Sequence, residues 1–175
     1  MADVERFELP EELEEFRALV RQIAEDRIAS RAAEIDETDE WPEDVYKVLV
    51  DNDLMGVGYP EEHGGSGGGS LAFGVLIEEL SRVSAGVSLT PLVSKLGVIP
   101  LRIAGDDEKA RRMTEGIARG ALLMSYALTE AGAGSDPGAI AATAERTANG
   151  YRLRGEKWFV TSGDVADFYI VMVNV

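Results

Sequence analysis

The residues with the most chemical possibility lie between Tyr126 and Gly138, in the run Tyr-Ala-Leu-Thr-Glu-Ala-Gly-Ala-Gly-Ser-Asp-Pro-Gly. Two hydroxyls (Thr129, Ser135), two carboxylates (Glu130, Asp136) and three glycines (Gly132, Gly134, Gly138) follow directly on an apolar stretch of strand length. Glycines let a backbone come close to a ligand, and successive N–H groups in such a turn form an anion-binding nest. A Rossmann-type fingerprint does not fit. It requires glycine where Pro137 stands, and no strand–helix–strand unit with an acidic ribose ligand follows. A glycine-rich turn that binds nothing satisfies the same pattern, so the residues alone leave both readings open. Glu130 and Asp136 make a tempting acid–base pair, but Asp136, just before Pro137, is read as turn chemistry.

Elsewhere the chemistry is thin. Gly64, Gly65, Gly67, Gly68 and Gly69 invite a phosphate-binding reading, but no Lys-Ser or Lys-Thr follows them and no clear strand precedes them, so a flexible loop is expected. With no cysteine and one histidine, His63, thiol chemistry and a zinc cluster are excluded and no metal site is expected. The 32 acidic against 17 basic residues give a formal charge of −15, which argues against a nucleic-acid partner. The N-terminus has no basic stretch followed by an apolar one, and no apolar run approaches about 18 residues, so a cytoplasmic protein without a membrane partner is expected. Lysine occurs only at Lys47, Lys95, Lys109 and Lys157. An acid-rich, lysine-poor surface suits high salt, where self-repulsion is screened. Melting should therefore occur at a higher temperature in molar KCl than at low salt, and equal stability in both would remove the idea.

The elements that must position the Tyr126–Gly138 run fall into two groups. From Glu11 to about Ala33, Leu13, Phe16, Val20 and Ile23, with Leu19 and Ile28 beside them, recur on one helical face behind Pro10. A short helix follows Trp41-Pro42. Ser70 to Val83 reads as a buried helix with Glu78, Glu79 and Arg82 as its wet edge, and Ser88 to Ala104 as another, bent or interrupted at Pro100. Asp106 and Asp107 open a last helix, with Ala110, Met113 and Ile117 inward. Beyond Gly120 the period changes. Leu122 to Leu128, Tyr151 to Arg154, Trp158 to Thr161 and Phe168 to Val173 read as strands, with Asn149-Gly150 as a type I′ hairpin signal. The expected fold is α+β: an all-α domain over residues 1–120, then the beginning of an antiparallel β-barrel-like domain over 121–175. The last β segment runs into Val175 without a closing element, which reads as a truncated product.

The run from Ala127-Leu128-Thr129-Glu130 to Gly134-Ser135-Asp136 resembles the signature of acyl-CoA dehydrogenases. Gly155 to Gly163, with Lys157-Trp158-Phe159-Val160-Thr161, is similar to the second flavin-contacting strand of that family. Pro60 to Gly65, Ile77 to Arg82 and Gly105 to Lys109 fall in the family's order and spacing, so the resemblance covers the whole chain. It implies an FAD enzyme that oxidises the Cα–Cβ bond of an acyl-CoA to the trans-2-enoyl thioester, in fatty-acid or branched-chain catabolism. A carboxylate would take the α proton, the β hydride would pass to the flavin, and an electron-transfer flavoprotein would receive the electrons. By resemblance, Tyr126, Leu128 and Thr129 lie against the isoalloxazine, and Gly134 and Ser135 near the pyrophosphate, with Ser135 also reaching toward the substrate's CoA. Phe159, Val160 and Thr161 form the other wall. Phe159 departs from the tryptophan of many members, and Trp158, one residue early, is expected on the opposite side of the strand.

The resemblance puts the catalytic base in a C-terminal helical domain, so no catalytic residue is expected in this chain, which alone should turn over nothing. The full-length enzyme is expected as a homotetramer or dimer. Leu89, Leu92 and Leu96 are read either as core or as lining of an acyl-chain pocket. Two other readings keep the fold: a non-catalytic subunit that completes a partner's FAD site, and a flavin monooxygenase or nitroalkane-oxidase relative. The latter usually drift from the Thr129-Glu130 to Ser135-Asp136 pattern retained here.

Overall fold

The computed structural model describes residues 8–175. Behind Pro10, helix α1 spans Glu11–Ile23. The helical path then widens into a π turn at Ala24–Ile28, tightens at Ala29–Arg31, and resumes as α2, Ala32–Thr38. It stops where Asp39 turns left-handed at φ 55°. The long first helix is thus longer than its apolar pattern, and changes pitch where that pattern thins. Helix α3 (Glu43–Asp51) follows Pro42, and α4 (Gly69–Val83), α5 (Ala85–Ile103) and α6 (Asp107–Ala118) complete the helical part. Ser84 caps α5 by accepting from the Val87 N–H at 3.3 Å, and Asp106 caps α6 by accepting from the Lys109 N–H at 3.1 Å.

Helix α5 runs unbroken through Pro91 and Pro100, so of the bend or interruption expected at Pro100 the interruption does not occur. Burial of Val87, Ser88, Pro91, Ser94, Gly97 and Val98 against its neighbours outweighs the hydrogen bonds that proline removes. On length and composition it is apolar enough to cross a membrane, which the sequence reading had missed because Lys95 and Arg102 interrupt the run. Its inner face is part of the helical core, with Leu49, Leu54, Met55, Leu76, Leu80 and Ile117 among the residues buried there.

The glycine loop after α3 is an ordered, self-bonded turn. Ser66 and Gly67 donate backbone N–H groups to Gly56 and Tyr59 carbonyls, each at 2.9 Å, and Gly58 donates to Gly67 at 2.8 Å. With those N–H groups engaged inside the loop, they are not available to cradle a phosphate.

The first strand packs on α5. β1 (Met124–Ala127) lies against that helix where Gly97 leaves room: a Cβ there would stand 3.1 Å from Met124 Cε. β1 pairs in parallel with β4 (Phe168–Val171), Met124 opposite Phe168 and Ala127 opposite Val171. β2 (Thr143–Thr147) and β3 (Gly150–Arg154) form an antiparallel hairpin. Asn174 joins the two pairs, donating its N–H to Ala142 O at 2.9 Å and accepting from Ala144 N–H at 2.7 Å. A helical domain followed by a few strands is therefore the architecture expected from sequence. The barrel-like closure is not found among the described residues, and β1–β4 is parallel, because the chain travels through the turn and hairpin before returning in the same direction. The hairpin turn is also offset from the type I′ expectation. Thr147 pairs with Gly150, so Ala148 and Asn149 are the loop, and of that stretch only Gly150 takes positive φ, at 136°.

Candidate functional site

The apolar run of β1 carries the first candidate segment directly out of the core. Met124, Ser125 and Ala127 are buried, while Tyr126, Leu128 and Thr129 are half-buried. The second segment, 157–161, lies along it. The Trp158 N–H donates to Thr129 O at 2.8 Å, and the Ser125 hydroxyl donates to Thr161 O at 2.6 Å. Because 158 meets 129 and 161 meets 125, the two segments run in opposite directions, with Thr129 and Thr161 toward opposite ends of the contact. Sequence reasoning missed Ser125; a lone hydroxyl inside the apolar stretch Leu122–Leu128 was the available signal, since a buried hydroxyl needs a partner.

Trp158 to Thr161 is not the strand expected from its β-rich composition. Phe159 adopts φ 54° and Ser162 φ 58°, left-handed values that break a pleat. The simple alternation that would place Trp158 and Phe159 on opposite faces does not apply. Their rings meet edge-on, with centroids 6.2 Å apart, and Phe159 is 86% exposed. A bulky residue held in a sparsely populated conformation and presented to solvent is the kind of strain found where a ligand is clamped.

Gly134 and Ser135 lie on an exposed turn beyond Thr129. Asp136 accepts from the Gly138 N–H at 3.0 Å, the turn chemistry read from its sequence. A Cβ built on Gly132 or Gly134 meets nothing within 4 Å, so the approach to this backbone is open. Among the described residues, the hydroxyls of Thr129 and Thr161 and the N–H groups of Gly134 and Ser135 donate no hydrogen bond. The arrangement is thus a wall with unengaged donors at both ends and an exposed aromatic ring beside it.

Glu130 is no free acid–base group. Its carboxylate accepts from the Lys157 ammonium at 2.7 Å and from the N–H groups of Ala141 and Ala142 at 2.6 and 3.0 Å. The Lys157 bond first, then the two backbone bonds, hold its pKa down at about 2. A carboxylate so engaged accepts no proton near neutrality.

Helix α5 presents Leu89, Leu92, Leu96, Ile99 and Ile103 in an exposed stripe, so plain core packing does not account for them. One end of the stripe meets Thr161 and Ser162 in a groove of about 270 Å³ that Trp41, Val87 and Thr90 also line. The other end meets Tyr126 and Met172 in a second groove of about 390 Å³. Ile103, at that end, is 82% exposed. Both candidate segments therefore open onto the same apolar helix face.

The profile of the acyl-CoA dehydrogenase N-terminal domain matches residues 10–121, and that of the middle domain residues 125–174. The probable acyl-CoA dehydrogenase FadE25 of Mycobacterium tuberculosis is 39% identical over 166 residues, covering 95% of this chain and 43% of the relative. The solved butyryl-CoA dehydrogenase from Megasphaera elsdenii superposes with a TM-score of 0.81 at 30% identity, over 94% of this chain and 44% of that one. A chain in the solved structure of the electron transferring flavoprotein of Acidaminococcus fermentans superposes with a TM-score of 0.84 at 31% identity, with the same coverage of 94% and 44%. The chain thus spans less than half the length of these relatives. Two consecutive domain matches over nearly all of its residues, on a fold that superposes throughout, establish that the chain belongs to the acyl-CoA dehydrogenase family.

Proposed function

We propose that this chain forms the flavin-facing wall of an FAD-dependent acyl-CoA dehydrogenase, which converts an acyl-CoA thioester to its trans-2-enoyl product. The observation that carries the reading is the antiparallel contact of the 125–129 and 158–161 segments, with the Thr129 and Thr161 hydroxyls unengaged at its two ends. When bound, FAD supplies the two-electron acceptor that no side chain provides. The free donors fit it: Thr129 and Thr161 suit the polar edge of an isoalloxazine, and the open N–H groups of Gly134 and Ser135 suit a pyrophosphate. Tyr126, Leu128, Phe159 and Val160 supply apolar contact, and Ser135 also serves the CoA portion.

The exposed α5 stripe offers an acyl chain an apolar surface, with Leu89 and Thr161 lining one groove. The chain holds no base for the α proton at this wall, since Glu130 is locked to Lys157 and Asp136 to its own turn. The base therefore comes from outside these residues, and the 175-residue chain by itself catalyses no turnover. An acyl-CoA substrate, an electron-transfer flavoprotein as acceptor, and a homo-oligomeric assembly of the full-length enzyme belong to the same reading.

The test uses the product of the complete reading frame. It should purify with bound flavin, and octanoyl-CoA should bleach the visible flavin band without oxygen. Thr129→Val should slow that bleaching on the order of a hundredfold, because a preorganised donor to developing negative charge is lost. Absence of flavin, or robust turnover by the 175-residue chain alone, would overturn the reading.

A further inference from the structure

Glu130 and Lys157 form the only ion pair outside the helical domain among the described residues. The other pairs lie on or between helices, mostly at the surface. This one joins residues 27 apart in sequence, and its side chains keep only 10% and 9% exposure. Its bonds reach three stretches of chain. The Lys157 ammonium donates to Leu128 O at 2.9 Å as well as to Glu130, while the Glu130 carboxylate gathers the N–H groups of Ala141 and Ala142.

The segment after Lys157 has few other holds. It is not a strand, it contains Phe159 and Ser162 at positive φ, and it meets the β1 edge through the Trp158–Thr129 and Ser125–Thr161 bonds. Left-handed conformations at bulky residues persist only where the surroundings impose them. The ammonium of Lys157 sits at the start of this segment and bonds to the carbonyl immediately before Thr129. The pair thus ties the start of this segment to the residues on both sides of Thr129.

We infer that the Glu130–Lys157 pair is a positioning clamp: it sets the spacing between the Thr129 and Phe159–Thr161 walls and thereby the seat of the flavin ring, without itself taking part in proton transfer. The inference rests on the flavin reading above and adds the device that holds the two walls in register. A largely shielded pair that closes a charge and two backbone donors at once acts as a unit, so removing either partner releases the same constraint.

The experiment compares the complete wild-type protein with Glu130→Gln, Lys157→Met, the double variant, and Lys157→Arg as the conservative replacement. The readouts are FAD dissociation constant, visible circular dichroism of the bound flavin, and hydrogen exchange at the Ala141, Ala142 and Trp158 amides. Each single variant should weaken FAD binding about tenfold or more and change the flavin dichroism, with the double variant no weaker than the worse single. Faster exchange at the three amides should accompany the loss, and Lys157→Arg should restore most of the affinity. If wild type binds FAD and folded Glu130→Gln binds it equally well with an unchanged spectrum, the clamp is refuted while the flavin reading stands. If wild type takes up no FAD, the flavin reading fails and the clamp's role fails with it. Should Glu130→Gln not fold, the Lys157 variants decide by the same criteria.

Discussion

Glu79→Ala should lower the stability of the helical domain by about 2–3 kcal/mol near neutral pH, at or just under what breaking a buried pair costs, because Arg21 and Arg82 keep nearly half their exposure. Glu79 is 1% exposed. Arg21 grips its carboxylate with two bonds, from Nε at 2.9 Å and from its terminal nitrogen at 2.8 Å, and Arg82 adds a third at 2.9 Å. Arg17 stands 3.8 Å away. One carboxylate on α4 thus joins α1, 58 residues distant, and its removal leaves three guanidinium groups facing each other. The arginine hydrogen bonds, led by Arg21, hold the Glu79 pKa at about 2, below its ordinary 4.5. A folded-state pKa below the unfolded one means stability that is present above 4.5 and lost as the pH falls through about 2. Urea unfolding of parent and variant should therefore show a gap that is full near neutrality and closes across that window. A gap that does not change with pH would refute the ionic account.

Gly58→Ala should cost about 2–4 kcal/mol, combining left-handed strain with a lost hydrogen bond and cation–π contact. Gly58 has φ +78°, and an added Cβ would stand 2.2 Å from Lys95 Nζ, 2.9 Å from Phe73 Cβ and 3.0 Å from Gly69 O. The Lys95 ammonium can move aside, but only by leaving the Gly58 carbonyl at 2.8 Å and the Phe73 ring, whose centroid lies 4.1 Å away. Phe73 Cβ cannot yield so easily, being fixed to α4. Gly74→Ala is the internal control: an added Cβ meets nothing within 4 Å on the same helix. It should stabilise by about 0.5–1 kcal/mol, as alanine for glycine does in a helix interior. Thermal or urea unfolding of both variants checks the contrast, and a neutral Gly58→Ala would mean that the loop gives way.

How much of this was legible in the sequence varies by residue. The cap at Asp106 and the inward Ala110, Met113 and Ile117 follow from local rules, since a cap and a helical face depend on neighbours within a few positions. Glu79 was read as part of a wet helix edge, yet it is buried. Its spacing from Arg82 was visible, but that α1 would bring Arg17 and Arg21 onto it depends on helix packing. The same holds for Glu130. Its acidity suggested one half of an acid–base pair with Asp136, and only the return of the chain at Ala141 and Lys157 ties its carboxylate into an ion pair and two backbone bonds.

The sequence by itself determined the division into helices then strands, the family, and the two motif segments, because periodicity and motif order are properties of the chain alone. Tertiary structure decided that β1 and β4 run parallel, that 158–161 bends through positive φ instead of forming a strand, and that the α5 leucine stripe faces outward between two grooves. The physical reason is range. Capping, turn preference and amphipathic period are set within a few residues, whereas direction of pairing, the Glu130–Lys157 ion pair and the meeting of Thr129 with Trp158 depend on groups 27 or more positions apart, which only the packed chain brings together.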